Sequence, residues 1–132
     1  MITGIYAGLC GLLLTVLYVR VSQRRLAVKI GVGTGGDAEL EQRVRAHGNL
    51  IEAAPFVLIL LYLVERTALD PIFIHAFGAT FLLARLAHAQ GISSTTGRST
   101  GRFVGSLATV LILAALSVIL VARSVSVLPV NS

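Results

Sequence analysis

Four apolar stretches, at about residues 5–22, 44–66, 71–89 and 103–122, constrain this chain more than any other feature. A helix needs about 20 mostly apolar residues to cross the hydrocarbon core of a bilayer. Each stretch reaches that length, the second only if the polar run from Leu40 continues it as helix. Lipid offers backbone N–H and C=O groups no water, so spanning segments of this kind fold as helices. Composition agrees: charged residues make up 13% of the chain, against about 25% in soluble domains, and the mean hydropathy is +0.87. The expectation is one all-α membrane domain over residues 1–132, an up-down four-helix bundle joined by short connections. The first run reads as a membrane helix rather than a cleaved signal peptide. No basic residue precedes it, and no small-residue cleavage site with a polar mature domain follows it.

The connections assign an orientation. The first, Gln23 to Glu39, carries Gly31, Gly33, Gly35 and Gly36, and with its flanks holds Arg20, Arg24, Arg25, Lys29, Arg43 and Arg45. The second is a tight turn, Glu65 to Pro71, whose single Arg66 is offset by Glu65 and Asp70. The third, Gln90 to Gly101, is rich in Gly, Ser and Thr, with Arg98 and Arg102. Cytoplasmic loops carry the excess of Lys and Arg. Loops one and three are therefore expected in the cytoplasm and both termini outside. The same rule accounts for the pI of about 10.4 without a nucleic-acid partner, since no soluble face gathers bases and aromatics as such binding requires. Asp37 is placed to N-cap the second helix, with Glu39 and Glu41 favoured in its first turn by the helix dipole.

Polar residues at the start of the second span demand explanation. Arg45, Asn49 and Glu52 fall at i, i+4 and i+7, one face of a helix. A charge in a membrane helix is costly, about 2.5–3.5 kcal/mol at its centre, and usually faces protein or water. The face offers a cation, an amide and a carboxylate over about two turns. It suits a small zwitterionic ligand, or it is a structural polar seam. Arg85 and His88 lie at i and i+3 late in the third span, and Arg102 opens the fourth. An up-down bundle puts all of these at one membrane depth, so they can line one cavity within a bundle or between subunits. Arginine forks grip carboxylates, and an arginine aimed at a thiol favours its thiolate.

Plainer readings compete for single residues. Arg20, Arg24 and Arg43 read first as snorkelling anchors. His47 and His88 read as interhelical or interfacial residues, since no metal-ligand spacing surrounds them. Cys10, the single cysteine, reads as a small apolar filler. Pro55 frees the carbonyl of Ile51 within the second span. Gly33-Thr34-Gly35-Gly36 lacks the strand and Lys-Ser/Thr of a phosphate loop.

The run Arg45-Ala46-His47-Gly48-Asn49-Leu50-Ile51-Glu52-Ala53-Ala54-Pro55 resembles the signature of the MAPEG family, the membrane-associated proteins in eicosanoid and glutathione metabolism. The likeness extends to four spans, a long basic first loop, a tight second turn and the pair Arg85-Leu86-Ala87-His88. The Gly35-Gly36-Asp37 lead-in is most similar to the small bacterial members. The resemblance implies a homotrimer in the bacterial inner membrane, with glutathione as co-substrate bound between subunits near the cytoplasmic face and no metal. It implies glutathione contacts from Arg45, Asn49, Glu52, Arg85 and His88, and from a helix-one arginine, Arg24 or Arg20. It implies that Arg102, or else Arg98, activates the thiol. The tyrosines that catalytic members carry after Arg-x-x-His and early in helix four are replaced here by Ile92 and the 103–106 stretch.

Three classes of function follow. The first is a glutathione transferase or peroxidase acting on lipophilic electrophiles or hydroperoxides. The second is a non-catalytic membrane scaffold whose polar seam joins helices. The third is a small transporter using Glu52 and the histidines.

Overall fold

The computed structural model describes residues 1–94 and 99–126. Among them the only regular elements are four helices, α1 (Thr3–Val28), α2 (Ala38–Glu65), α3 (Pro71–Ser94) and α4 (Thr100–Ser126). All four are long and apolar enough to cross a membrane. Helices α2 and α3 pack on each other and on both remaining helices, while α1 and α4 do not touch. The expected up-down order holds. Tyr6 of α1 meets His75 of α3 at one end, and the Arg43 guanidinium of α2 reaches the Arg20 carbonyl of α1 at the other.

The buried positions of α2 and α4 recur at steps of three and four, the spacing that keeps one stripe of a helix against its neighbours. In α2 the seam is Ala46, Leu50, Ala54, Val57, Leu61 and Val64, and in α4 it is Gly105, Thr109, Ile112 and Leu116. Phe81, Ile74 and Leu61 are fully enclosed. Opposite faces stay apolar and exposed, such as Leu12 and Val16 on α1 and Val110 and Val118 on α4, as expected of surfaces that meet lipid rather than water.

The helices overrun the apolar spans at most ends. Asp37 caps α2 as expected, its Oδ1 accepting from the Leu40 N–H at 2.7 Å. Helix α1 ends at Lys29, which takes a left-handed conformation (φ 57°) and returns its N–H to the last turn. Asp70 precedes Pro71 at the first position of α3 and accepts from the Ile72 N–H at 2.9 Å, a start that suits proline's missing donor. Helix α3, expected to end near residue 89, does not stop there. It runs on to Ser94 because Ile92 is buried and Gly91 lies against the first turn of α4, where a Cβ would sit 2.9 Å from the Arg102 N. Helix α2 passes through Pro55 unbroken.

The first helix has no side-chain cap of its own. Glu65, at the far end of α2, supplies one: its carboxylate accepts from the N–H groups of Ile2 at 2.6 Å and Thr3 at 2.9 Å. Amides that a helix start leaves unpaired are thus met by an anion at the favourable pole of the dipole.

Candidate functional site

The α2 group forms as the spacing predicts. Arg45, Asn49 and Glu52 share one face with Glu41, Val44 and Gly48, and with Thr34 of the first connection they line a groove of about 360 Å³. Gly48 contributes no side chain, so the floor between Arg45 and Glu52 is backbone. Arg45 Nη2 lies 3.6 Å from Glu41 Oε1, with both side chains more than half exposed, a loose pair that contributes little on its own. Among the described residues the side chains of Asn49 and Glu52 have no hydrogen bond or ion pair with the rest of the chain. An amide and a carboxylate on a membrane helix are therefore directed away from the bundle core.

The second group sits between α3 and α4. Arg85 is buried and donates from Nη2 to the Gly105 carbonyl at 2.7 Å, with its guanidinium over the Phe81 ring at 5.8 Å. Cys10 of α1 is buried within its electrostatic reach. His88 Nδ1 lies 3.2 Å from both the Arg102 carbonyl and Ser106 Oγ. A carbonyl only accepts, so the hydrogen bond to Arg102 requires a proton on Nδ1, whereas Ser106 Oγ can take either role. Arg85 Nε and His88 Nε2 are both buried without a partner. Buried polar atoms are nearly always satisfied, so this pair marks a place where stability has been given up. The first turn of α4 holds Arg102 beside His88, with its N–H accepted by Ser99 Oγ at 3.2 Å.

Close approach of the two helices makes these contacts. A Cβ on Gly105 would lie 2.5 Å from the Ala84 carbonyl and 2.8 Å from His88 Cβ, and one on Gly101 would lie 2.8 Å from the Ala87 carbonyl. The Gly105 carbonyl also accepts from Thr109 Oγ1 at 2.8 Å. Neither glycine was among the expected site residues. Their spacing of four, the small-residue pattern of packed membrane helices, is the signal that marks them.

Arg24 is committed within the chain. Its Nε and Nη2 fork onto the two Asp37 oxygens at 3.1 and 2.8 Å, and its Nη1 pairs with Glu39 at 3.0 Å. That grip, with help from the Leu40 N–H, holds the Asp37 carboxyl below the usual carboxylate range. Arg43 Nη2 reaches the other Glu39 oxygen at 2.6 Å. Arg24 and Arg43 thus tie α1 to α2 instead of snorkelling freely. Arg98 lies outside the described residues. Among the described residues no three His, Cys, Asp or Glu side chains gather as metal ligands.

One chain therefore brings Arg45, Asn49 and Glu52 together along one groove, and Arg85, His88 and Arg102 together between α3 and α4. Among the described residues, α2 turns the face of Arg45, Asn49 and Glu52 outward, while Arg85 and His88 face α4 and the core.

The family model for MAPEG proteins matches residues 3–122. This chain belongs to the MAPEG family. Among curated proteins, the MAPEG chain is 32% identical over 91 residues to the inner membrane protein YecN of Escherichia coli K12, covering 69% of this chain and 70% of the relative. It matches YecN of Escherichia coli O6:H1 strain CFT073 to the same extent.

Proposed function

We propose that this MAPEG protein binds glutathione in the bacterial inner membrane and transfers it to lipophilic electrophiles, or uses it to reduce lipid hydroperoxides. The observation that carries the reading is the outward face of α2, where Asn49 and Glu52 stand unpartnered beside Arg45 in a groove. A carboxylate in a membrane helix with no partner among the described residues calls for a cationic group. Glutathione supplies one in its ammonium, along with carboxylates for Arg45 and amides for Asn49. Arg85 and His88 of a neighbouring chain, with their two unsatisfied nitrogens, complete the site in a homotrimer. The inner-membrane assignment draws on YecN, and the charge of the first connection favours loops one and three in the cytoplasm with both termini outside.

In this reading Arg102 lies against the glutathione sulfur. A guanidinium there favours the thiolate, the nucleophilic form. In transfer the sulfur lone pair forms the C–S bond and a leaving group departs with its electron pair, or a conjugated π bond shifts and is protonated. In reduction the thiolate cleaves the O–O bond of a hydroperoxide and releases the alcohol. A second glutathione then displaces water from the resulting sulfenic acid and yields the disulfide.

Calorimetric titration of the detergent-solubilised protein with glutathione tests the proposal. Saturable binding with proton release is expected, reduced at least tenfold in Glu52→Gln and Arg45→Gln with the assembly state unchanged. Absence of binding at millimolar glutathione overturns it. Loss of assembly in both variants assigns the seam a structural role instead.

A further inference from the structure

The arginines at the polar end of α1 and α2 are not equivalent. Arg24 is forked onto Asp37. Arg25 donates to the carbonyls of Ile30, Gly31 and Gly33 at 3.4, 3.2 and 2.9 Å. Arg43 is held by Glu39 and Arg45 leans on Glu41. The Arg20 guanidinium alone in this set has no hydrogen bond or ion pair among the described residues, although its backbone carbonyl accepts from Arg43. Arg20 closes one end of a second groove of about 420 Å³, between α1 and α3. Apart from Arg20 and the Gln90 amide, its lining is apolar, with Val16, Leu17 and Leu86 as walls and Ala89 as floor. Leu17 is buried, whereas Val16 and Leu86 are 55% and 44% exposed, so the groove opens sideways. From Leu13 to Arg20 it follows two turns of α1, about 10 Å.

An apolar trough parallel to the helices, ending in an unpaired cation and an amide at the polar end of the bundle, has the polarity of an anionic amphiphile. We propose that it binds an anionic phospholipid. One acyl chain lies along Leu13, Val16 and Leu86, and the phosphate is held by Arg20 with Gln90 beside it. The sideways opening admits one chain and leaves the second in the bilayer. The guanidinium fork suits a phosphate's oxygens. A free phosphate would have no use for the apolar walls, and a zwitterionic headgroup would place its own cation against Arg20. The groove shares no lining residue with that of Arg45, Asn49 and Glu52, and Arg20, which the family resemblance offers beside Arg24 as a glutathione contact, lines this groove and not that one.

The test is headgroup selectivity of retained lipid. Protein reconstituted in vesicles of equal phosphatidylcholine and phosphatidylglycerol is re-extracted in mild detergent, and the bound lipid is counted by native mass spectrometry. The expected result is retention of phosphatidylglycerol enriched about fivefold, the scale of one basic residue at an anionic surface. Arg20→Gln removes the enrichment, Arg20→Lys keeps most of it, and Lys29→Gln, an exposed cation at the same end, leaves it intact. Leu86→Trp, which fills the trough from its exposed rim, lowers retention of both lipids. Equal retention of the two headgroups by the unaltered protein overturns the proposal, as does equal loss in Arg20→Gln and Lys29→Gln, which is diffuse surface charge. So does chain-to-chain disulfide formation in membranes by Leu86→Cys in a Cys10→Ser background, which puts a second copy over the groove.

Discussion

Arg24 of α1 and Asp37 at the head of α2 meet in a two-pronged salt bridge across a connection of eight residues, Lys29 to Gly36. The same carboxylate caps α2 through the Leu40 N–H. One side chain therefore fixes both where the second helix begins and how the first is tied to it. Thr34, which lines the groove of Arg45 and Glu52, lies within that connection, so the bridge also sets the mouth of the candidate site.

Acid is expected to release this connection. The Asp37 carboxyl in the folded protein is held below its ordinary value, chiefly by Arg24. A group of this sign contributes stability that is complete above the unfolded carboxylate range, about 3.9. The contribution is lost as pH falls through the lower folded value. Amide exchange at Leu40, corrected for intrinsic rates, should accelerate below about pH 4. Asp37→Asn keeps a capping oxygen and removes the charge, so it should flatten this dependence, while Asp37→Ala should lose protection at every pH. An unaltered acid dependence in Asp37→Asn would assign the effect to another group.

Gly105→Ala is expected to destabilise the bundle by about 1–3 kcal/mol, the usual cost of overpacking. The added Cβ meets the Ala84 carbonyl and His88 Cβ, both anchored in α3. Separation of the helices would also stretch the Arg85 bond to the Gly105 carbonyl. Gly8→Ala is the matched control: nothing lies within 4 Å of a Cβ there, and alanine favours a helix interior over glycine by about 1 kcal/mol. Thermal unfolding in detergent should separate the pair in opposite directions.

Hydropathy made the four spans and their order readable, and the capping role of Asp37 was readable from its place before an acidic first turn. The helix ends were not, since Gly91 and Ile92 continue α3 only because α4 comes close enough to bury them. The face carrying Arg45, Asn49 and Glu52 followed from helical spacing alone. The inward turn of Arg85 and His88 did not, because i and i+3 spacing states that two residues share a face and not which neighbour that face meets. Glu65 capping α1 from 62 residues away leaves no local signal at all.

Lys29 and Ala68 both adopt left-handed backbone at φ 57°. A Cβ there costs about 1–2 kcal/mol, part of which glycine returns as unfolded-chain entropy. Lys29→Gly and Ala68→Gly should each raise stability by about 0.5 kcal/mol and combine additively, since they sit at opposite ends of the bundle. A double variant no more stable than the parent would mean that the backbone there relaxes at little cost.

Arg85→Met is expected to stabilise the protein while weakening glutathione binding. Arg85 is only 3% exposed, its Nε has no partner, and among the described residues no carboxylate pairs with it. Burial of a charge without a counter-charge costs folding free energy, and a methionine fills similar space with a flexible apolar chain. The Gly105 carbonyl keeps its bond from Thr109, so the substitution orphans no buried acceptor. A gain of about 1 kcal/mol in unfolding free energy is expected, read as a raised thermal midpoint without glutathione. Arg85→Ala leaves a cavity beside Phe81 and should show no such gain. A residue that lowers the stability of the free protein and raises affinity for a ligand is the pattern of a binding site. Loss of stability in Arg85→Met would instead make Arg85 a structural tie between α3 and α4.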